Sequence, residues 1–171
     1  CEPLVRAYVL GDPEDAATSM GPIAQPWHVA ELEAFVAVAT TRGAGLIAGG
    51  VGVQVAGKGR FFQPALLRDV PHDADLFRRE SFGPILAVSA VASDDEALAR
   101  MNDSRLGLTA SIWTKDKERA ERLARQLEYG TVYMNRCDAL DPALPWTGAK
   151  DSGRGVTLST LGFDALTRPK A

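Results

Sequence analysis

The residues with the clearest chemical potential are Glu80, Ser81, Phe82, Gly83 and Pro84. A second run follows further along, Pro145-Trp146-Thr147-Gly148-Ala149-Lys150-Asp151-Ser152-Gly153-Arg154-Gly155. Each is a turn-rich cluster of polar and aromatic residues between apolar stretches, the setting in which binding loops are found. A carboxylate on a loop ahead of a strand, as at Glu80, can accept two hydrogen bonds from a diol. Phe82 beside it offers an aromatic face to a planar ring. On composition alone, Glu80 reads as a solvated loop acid and Phe82 as a core residue.

Other reactive residues form no second constellation. A catalytic thiol needs a lowered pKa or a nearby base, and a site for an oxyanion. Cys137 follows a predicted strand and reads better as a small, partly buried residue lining a loop. Cys1 falls in the first predicted helix. Gly52 to Lys58 fits the phosphate-loop spacing, but Gly59 stands where Ser or Thr would ligate magnesium, and an extended segment follows where a helix is required. This run therefore reads as a strand-connecting loop. His28 and His72 have no metal-ligating neighbours at zinc spacing, so no metal site is expected, and His28 is placed on a helix surface. Arg119, Arg122 and Arg125 alternate with Glu118, Glu121 and Glu128, which describes a solvated helix face rather than a nucleic-acid patch.

The elements that must position these residues follow from pattern and punctuation. Residues 2 to 10 read as the end of a helix stopped by Gly11 and Pro13. Pro26 suits the first turn of a helix whose inner face is Val29, Leu32, Val36 and Ala39, ending at Gly43. Residues 46–48 read as a short buried strand and 51–55 as a second strand. Residues 61–70 read as an extended segment with Pro64 at an edge or bulge. Residues 85–91, 109–113 and 131–135 read as strands. Ser93 and Glu96 form a capping box for a helix whose inner face includes Ala97, Leu98 and Met101. A further helix is predicted over 117–128 with Gly130 as its C-cap, then a long loop over 138–155 and a short helix over 157–166. Strand, helix, strand, helix, strand between 85 and 135 makes two βαβ units. The expected fold class is therefore α/β, with a mostly parallel central sheet flanked by helices. No linker long enough to separate two domains is evident.

Composition bounds the function classes. The chain has 171 residues, 46% hydrophobic and 24% charged, with a net charge of −3. That balance is ordinary for a globular protein, and it offers no basic tract for nucleic acid and no apolar run for a membrane span. The two widely spaced cysteines do not form a disulfide framework, so a reducing, cytoplasmic setting is the default.

Taken in order, Gly11-Asp12-Pro13 with Met20-Gly21-Pro22, Phe62-Gln63-Pro64, Glu80 to Pro84, Asn102 to Ser111, Gly130 to Asn135 and Pro145 to Gly155 resemble the C-terminal part of the catalytic domain of NAD(P)-dependent aldehyde dehydrogenases. The resemblance covers nearly the whole of residues 1–171. It implies oxidation of a small-molecule aldehyde to a carboxylic acid with NAD or NADP, in a protein that forms a homo-oligomer when complete. It implies that Glu80 and Phe82 contact the cofactor, at the ribose and the nicotinamide. It also implies that Leu140 and Trp146 line the apolar wall of the aldehyde tunnel, with Trp146 standing where Phe is more usual. The family's nucleophilic cysteine, general-base glutamate, oxyanion-hole asparagine and cofactor domain fall ahead of the matched residues. The chain alone is thus expected to be an inactive fragment with no catalytic residue of its own. The competing reading is a non-catalytic module that acts by binding or oligomerising.

Overall fold

The computed structural model describes residues 1–137, 139–168 and 170; Asp138, at the start of the predicted long loop, lies outside them. The chain divides into two compact units, Cys1–Ala90 and Val91–Ala171.

The first unit comprises α1 (Glu2–Arg6), α2 (Pro26–Thr41), β1 (Gly45–Ala48), β2 (Gly52–Val55), β3 (Lys58–Phe62), β4 (Ala65–Arg68), α3 (Asp75–Arg78) and β5 (Ile85–Val88). Pro26 occupies the first turn of α2, as the sequence predicts, because that position needs no backbone N–H. β4 is the middle strand of a three-stranded sheet, antiparallel to β1 and parallel to β5. Ala65, Leu66 and Leu67 are all buried. A strand covered on both faces reads as a continuous apolar run rather than an alternation. Leu32, Val36 and Ala39 of α2 pack on this strand with Phe62 and Leu67. Leu32 and Leu67 are fully inaccessible, and each such burial contributes about 2 kcal/mol. Leu67→Ala would lose that contribution and leave a cavity, at a cost of about 3 kcal/mol.

Two expectations for this unit are corrected. The strand at 46–48 is only partly buried, because Leu46 is exposed at the edge of the sheet. The extended run 61–70 is two strands separated by Gln63-Pro64, where a proline costs no ladder bond. The phosphate-loop lookalike is confirmed as a connection: β2 and β3 pair antiparallel across its turn, Val55 opposite Lys58.

The second unit comprises α4 (Asp94–Asn102), β6 (Leu106–Gly107), β7 (Thr109–Ile112), α5 (Lys117–Ala124), β8 (Thr131–Met134), β9 (Trp146–Thr147), β10 (Ala149–Lys150), β11 (Val156–Thr157) and α6 (Ser159–Leu166). β7 and β8 pair in parallel, Thr109 opposite Thr131 through Ile112 opposite Met134, with α5 as the crossover. This is the second of the predicted βαβ units. Leu98, Ala110 and Leu127 form its core, with Met101, Ile112, Leu123, Tyr129 and Val132 packed against them. The first predicted unit joins strands of different sheets, because β5 takes β4 as its partner. The α/β class stands, but not one mostly parallel sheet: the parallel pairings, β4 with β5 and β7 with β8, belong to separate sheets, and the other strand pairs are antiparallel.

The cap at Ser93 forms as expected, its hydroxyl accepting from the Glu96 amide at 3.1 Å. The return bond differs: the Glu96 carboxylate takes the amide of Ala92, one residue earlier, at 2.7 Å. α5 stops at Ala124 rather than 128, and Gly130 does not cap it. The Asn102 side chain explains the early stop. Its amide nitrogen donates to the Gln126 carbonyl at 2.8 Å, and its oxygen accepts from the Glu128 amide at 3.0 Å. Those backbone groups are thereby withdrawn from any further helical turn. The predicted long loop also carries order. β9 pairs with β11, Trp146 opposite Thr157, and β10 pairs with β6, Lys150 opposite Leu106.

Candidate functional site

Residues 80–84 sit between α3 and β5 of the first unit. With Met20, Gly21, Pro22 and Ile23 they line an open groove of about 570 Å3. Glu80 is exposed. Phe82 is not a core residue: it is 79% exposed, and its backbone adopts a left-handed φ of 48°. A carboxylate and an aromatic face are therefore both presented to solvent from one short loop. Such a pair can receive a polar, planar ligand: hydroxyls at the carboxylate, a ring against the phenyl face.

His28 departs from its expected surface position. Its side chain is only 13% exposed, with Nε2 3.3 Å from the Phe82 carbonyl oxygen and Nδ1 3.0 Å from Glu31 Oε2. No spacing rule links positions 28 and 82, so this contact was invisible in the sequence.

The other two sequence-predicted site residues belong to the second unit. Trp146 is half-buried in β9, and Leu140 is 63% exposed. The approach to Leu140 is fixed from β8, where the Tyr133 hydroxyl donates to the Ala139 carbonyl at 2.9 Å. Asn135 closes the end of the β7–β8 pair: its side chain accepts from the Thr114 amide at 2.9 Å and donates to the Thr114 carbonyl at 2.8 Å. Ser152 accepts the Gly107 amide at 2.9 Å. Lys150 donates to the Asn102 carbonyl at 2.6 Å and pairs with Glu128 at 2.8 Å. The polar residues of the 145–155 run thus serve to fasten the segment that carries Trp146.

Cys137 is exposed rather than partly buried, and so is Cys1. Among the described residues, no group of three or more His, Cys, Asp or Glu could hold a metal ion. No helix among them is long and apolar enough to cross a membrane.

An α/β chain with an acidic-aromatic loop ahead of a parallel strand, and a fastened aromatic segment after a βαβ unit, defines a class that comparison with known proteins names. The aldehyde dehydrogenase family model matches residues 2–171. A succinate-semialdehyde dehydrogenase [NADP(+)] of Deinococcus radiodurans is 37% identical over 96% of this chain and 34% of its own length. An aldehyde dehydrogenase of Paenarthrobacter nicotinovorans is 39% identical over 91% of this chain and 33% of its own. A betaine aldehyde dehydrogenase of Staphylococcus aureus, solved with NAD+, superposes with a TM-score of 0.88 at 32% identity, covering 95% of this chain and 33% of that one. The chain belongs to the aldehyde dehydrogenase family. It spans about a third of the length of the curated relatives it matches.

Proposed function

We propose that this chain is the C-terminal part of the catalytic domain of an NAD(P)-dependent aldehyde dehydrogenase, which oxidises an aldehyde to a carboxylic acid. The observation that carries the reading is the Glu80–Pro84 segment, which lines a groove in a chain whose residues 2–171 match the family model. The residues fit one end of a dinucleotide. Glu80 is exposed and free to accept hydroxyl hydrogen bonds, and the Phe82 ring is uncovered.

When bound, the dinucleotide supplies the hydride acceptor. Glu80 would hold the ribose diol through charge-assisted hydrogen bonds, and Phe82 would lie against the nicotinamide. Holding the ring in one place lowers the entropic cost of bringing donor and acceptor together. Leu140 and Trp146 would form an apolar wall that sorts aldehydes by shape rather than by charge. In this reading the reacting thiolate and the base lie ahead of residue 1, and the isolated chain turns over no aldehyde. The relatives' names include both NAD+ and NADP(+), so the preferred dinucleotide is left to experiment. Two exposed, unpaired cysteines suit a reducing cytoplasm, and exposed apolar residues such as Phe163 and Leu166 suit a homo-oligomer.

The test is to assay the native protein that carries this chain with NAD+, then NADP+, against aliphatic and aromatic aldehydes, following the reduced dinucleotide. Aldehyde-dependent reduction is expected. Dinucleotide binding without reduction of any kind would assign a non-catalytic binding module instead.

A further inference from the structure

The loop that carries Glu80 and Phe82 is gripped at both ends by one helix. His28, Glu31, Leu32 and Phe35 recur at helical spacing on α2, so they share one face. At the far end of the loop, His28 Nε2 lies 3.3 Å from the Phe82 carbonyl oxygen. The next residue rests on Leu32: a Cβ at Gly83 would fall 2.2 Å from Leu32 Cδ2 and 2.7 Å from Cδ1. Leu32 is fully buried and has nowhere to retreat. At the near end, Arg79 lies over the Phe35 ring, 4.9 Å from its centroid, and reaches Glu31 Oε1 at 3.4 Å.

Phe82 needs such a grip. A left-handed backbone at a residue with a Cβ costs about 1–2 kcal/mol. The residue is 79% exposed, so burial of the side chain does not offset that cost. What holds the conformation is bound to the backbone, and the His28 contact is the hydrogen bond made to the Phe82 carbonyl by a side chain. A carbonyl only accepts, so Nε2 donates in this contact; Glu31 Oε2, 3.0 Å from Nδ1, is an acceptor too, and only a ring carrying both N–H protons bonds the two together.

We propose that His28 is a positioning residue of the groove: by donating to the Phe82 carbonyl it fixes the left-handed turn that presents the Phe82 ring and aligns it with Glu80. Its link to cofactor binding rests on the reading of Glu80 and Phe82 given above; its hold on the loop does not. In this proposal His28 acts through Phe82, whose carbonyl it meets.

The experiment compares wild type with His28→Leu, which keeps bulk and removes the donor, and His28→Gln, which restores a donor. Hydrogen–deuterium exchange is measured on the native protein that carries this chain. In His28→Leu, the Ile85 amide, which donates to the Gly83 carbonyl at 2.8 Å, is expected to exchange about five- to tenfold faster, as the loss of one hydrogen bond allows. β4 should keep its protection, and His28→Gln should return most of the difference. In the native protein, His28→Leu should raise the dinucleotide KM by a similar factor, leaving the aldehyde KM near wild type. Should His28→Leu lose its fold, His28→Asn, too short to span the gap, takes its place with the same expected result. Unchanged exchange at Ile85, or a glutamine variant no better than leucine, overturns the proposal. A native protein with no affinity for either dinucleotide would sink the functional reading, while the exchange data would still decide what His28 does.

Discussion

Gly130 lies against the backbone of Thr147: a Cβ added to Gly130 would sit 1.8 Å from the Thr147 carbonyl oxygen. The obstacle is main chain, which cannot swing aside as the end of a side chain can. This contact joins the start of β8 to the β9 segment that carries Trp146. Gly130→Ala should therefore destabilise the protein by about 2 kcal/mol or more through overpacking. A lower midpoint of urea unfolding would show it. An unchanged midpoint would mean that the two segments are not in contact.

Asp94, in the first turn of α4, accepts hydrogen bonds from Arg119 and from Arg122, both on α5, the latter at 2.8 Å. The Arg119 bond, then the Arg122 bond, pulls the Asp94 carboxyl from its ordinary 3.8 down to about 2. A pKa lower in the folded state means that the stabilisation is complete above 3.8 and is lost as the pH falls toward 2. Asp94→Asn should flatten the pH dependence of stability across that window and lower stability at neutral pH. Urea unfolding at a series of pH values checks both. The Arg face of α5, read from the sequence as solvated, is in this respect a tie between two helices.

Glu80→Gln should impair dinucleotide retention or hydride transfer in the native protein and leave its melting temperature near wild type, because Glu80 is exposed. A neutral amide forfeits the charge-assisted share of each hydrogen bond, which amounts to roughly tenfold in affinity. Unchanged affinity together with unchanged rate would remove Glu80 from the site.

Both thiols are exposed, so a thiol reagent should titrate Cys1 and Cys137 in the folded chain without denaturant. The chain should nevertheless reduce neither NAD+ nor NADP+ with any aldehyde. Turnover abolished by Cys137→Ser would make Cys137 the working nucleophile and overturn the reading.

Trp27, Phe82, Trp113, Phe163 and Leu166 are each more than 60% exposed. An isolated chain with that much uncovered apolar surface should bind a hydrophobic dye or self-associate. A clean monomer by sedimentation that binds no dye would show that these residues are dispersed too thinly to matter.

Short-range physics was legible in the sequence. Pro26 opens α2 and Ser93 caps α4 because both devices act within one helical turn. The spacing of Leu32, Val36 and Ala39 showed which face of α2 is buried. The parallel pairing of β7 with β8 followed from a strand-helix-strand pattern that packs in one hand. The motif residues also named the family, because Glu80, Phe82 and Gly83 stand together along the chain. Contacts between distant positions were not legible. Asn102 ends α5 by capturing groups at 126 and 128, and β5 chooses β4 over β7. Phe82 faces outward because His28 and Leu32, fifty or more residues earlier, hold the backbone beneath it. Local propensity records what a residue favours among its neighbours in the chain. Only packing, which brings remote backbone groups within hydrogen-bond reach, decides which of those preferences gives way.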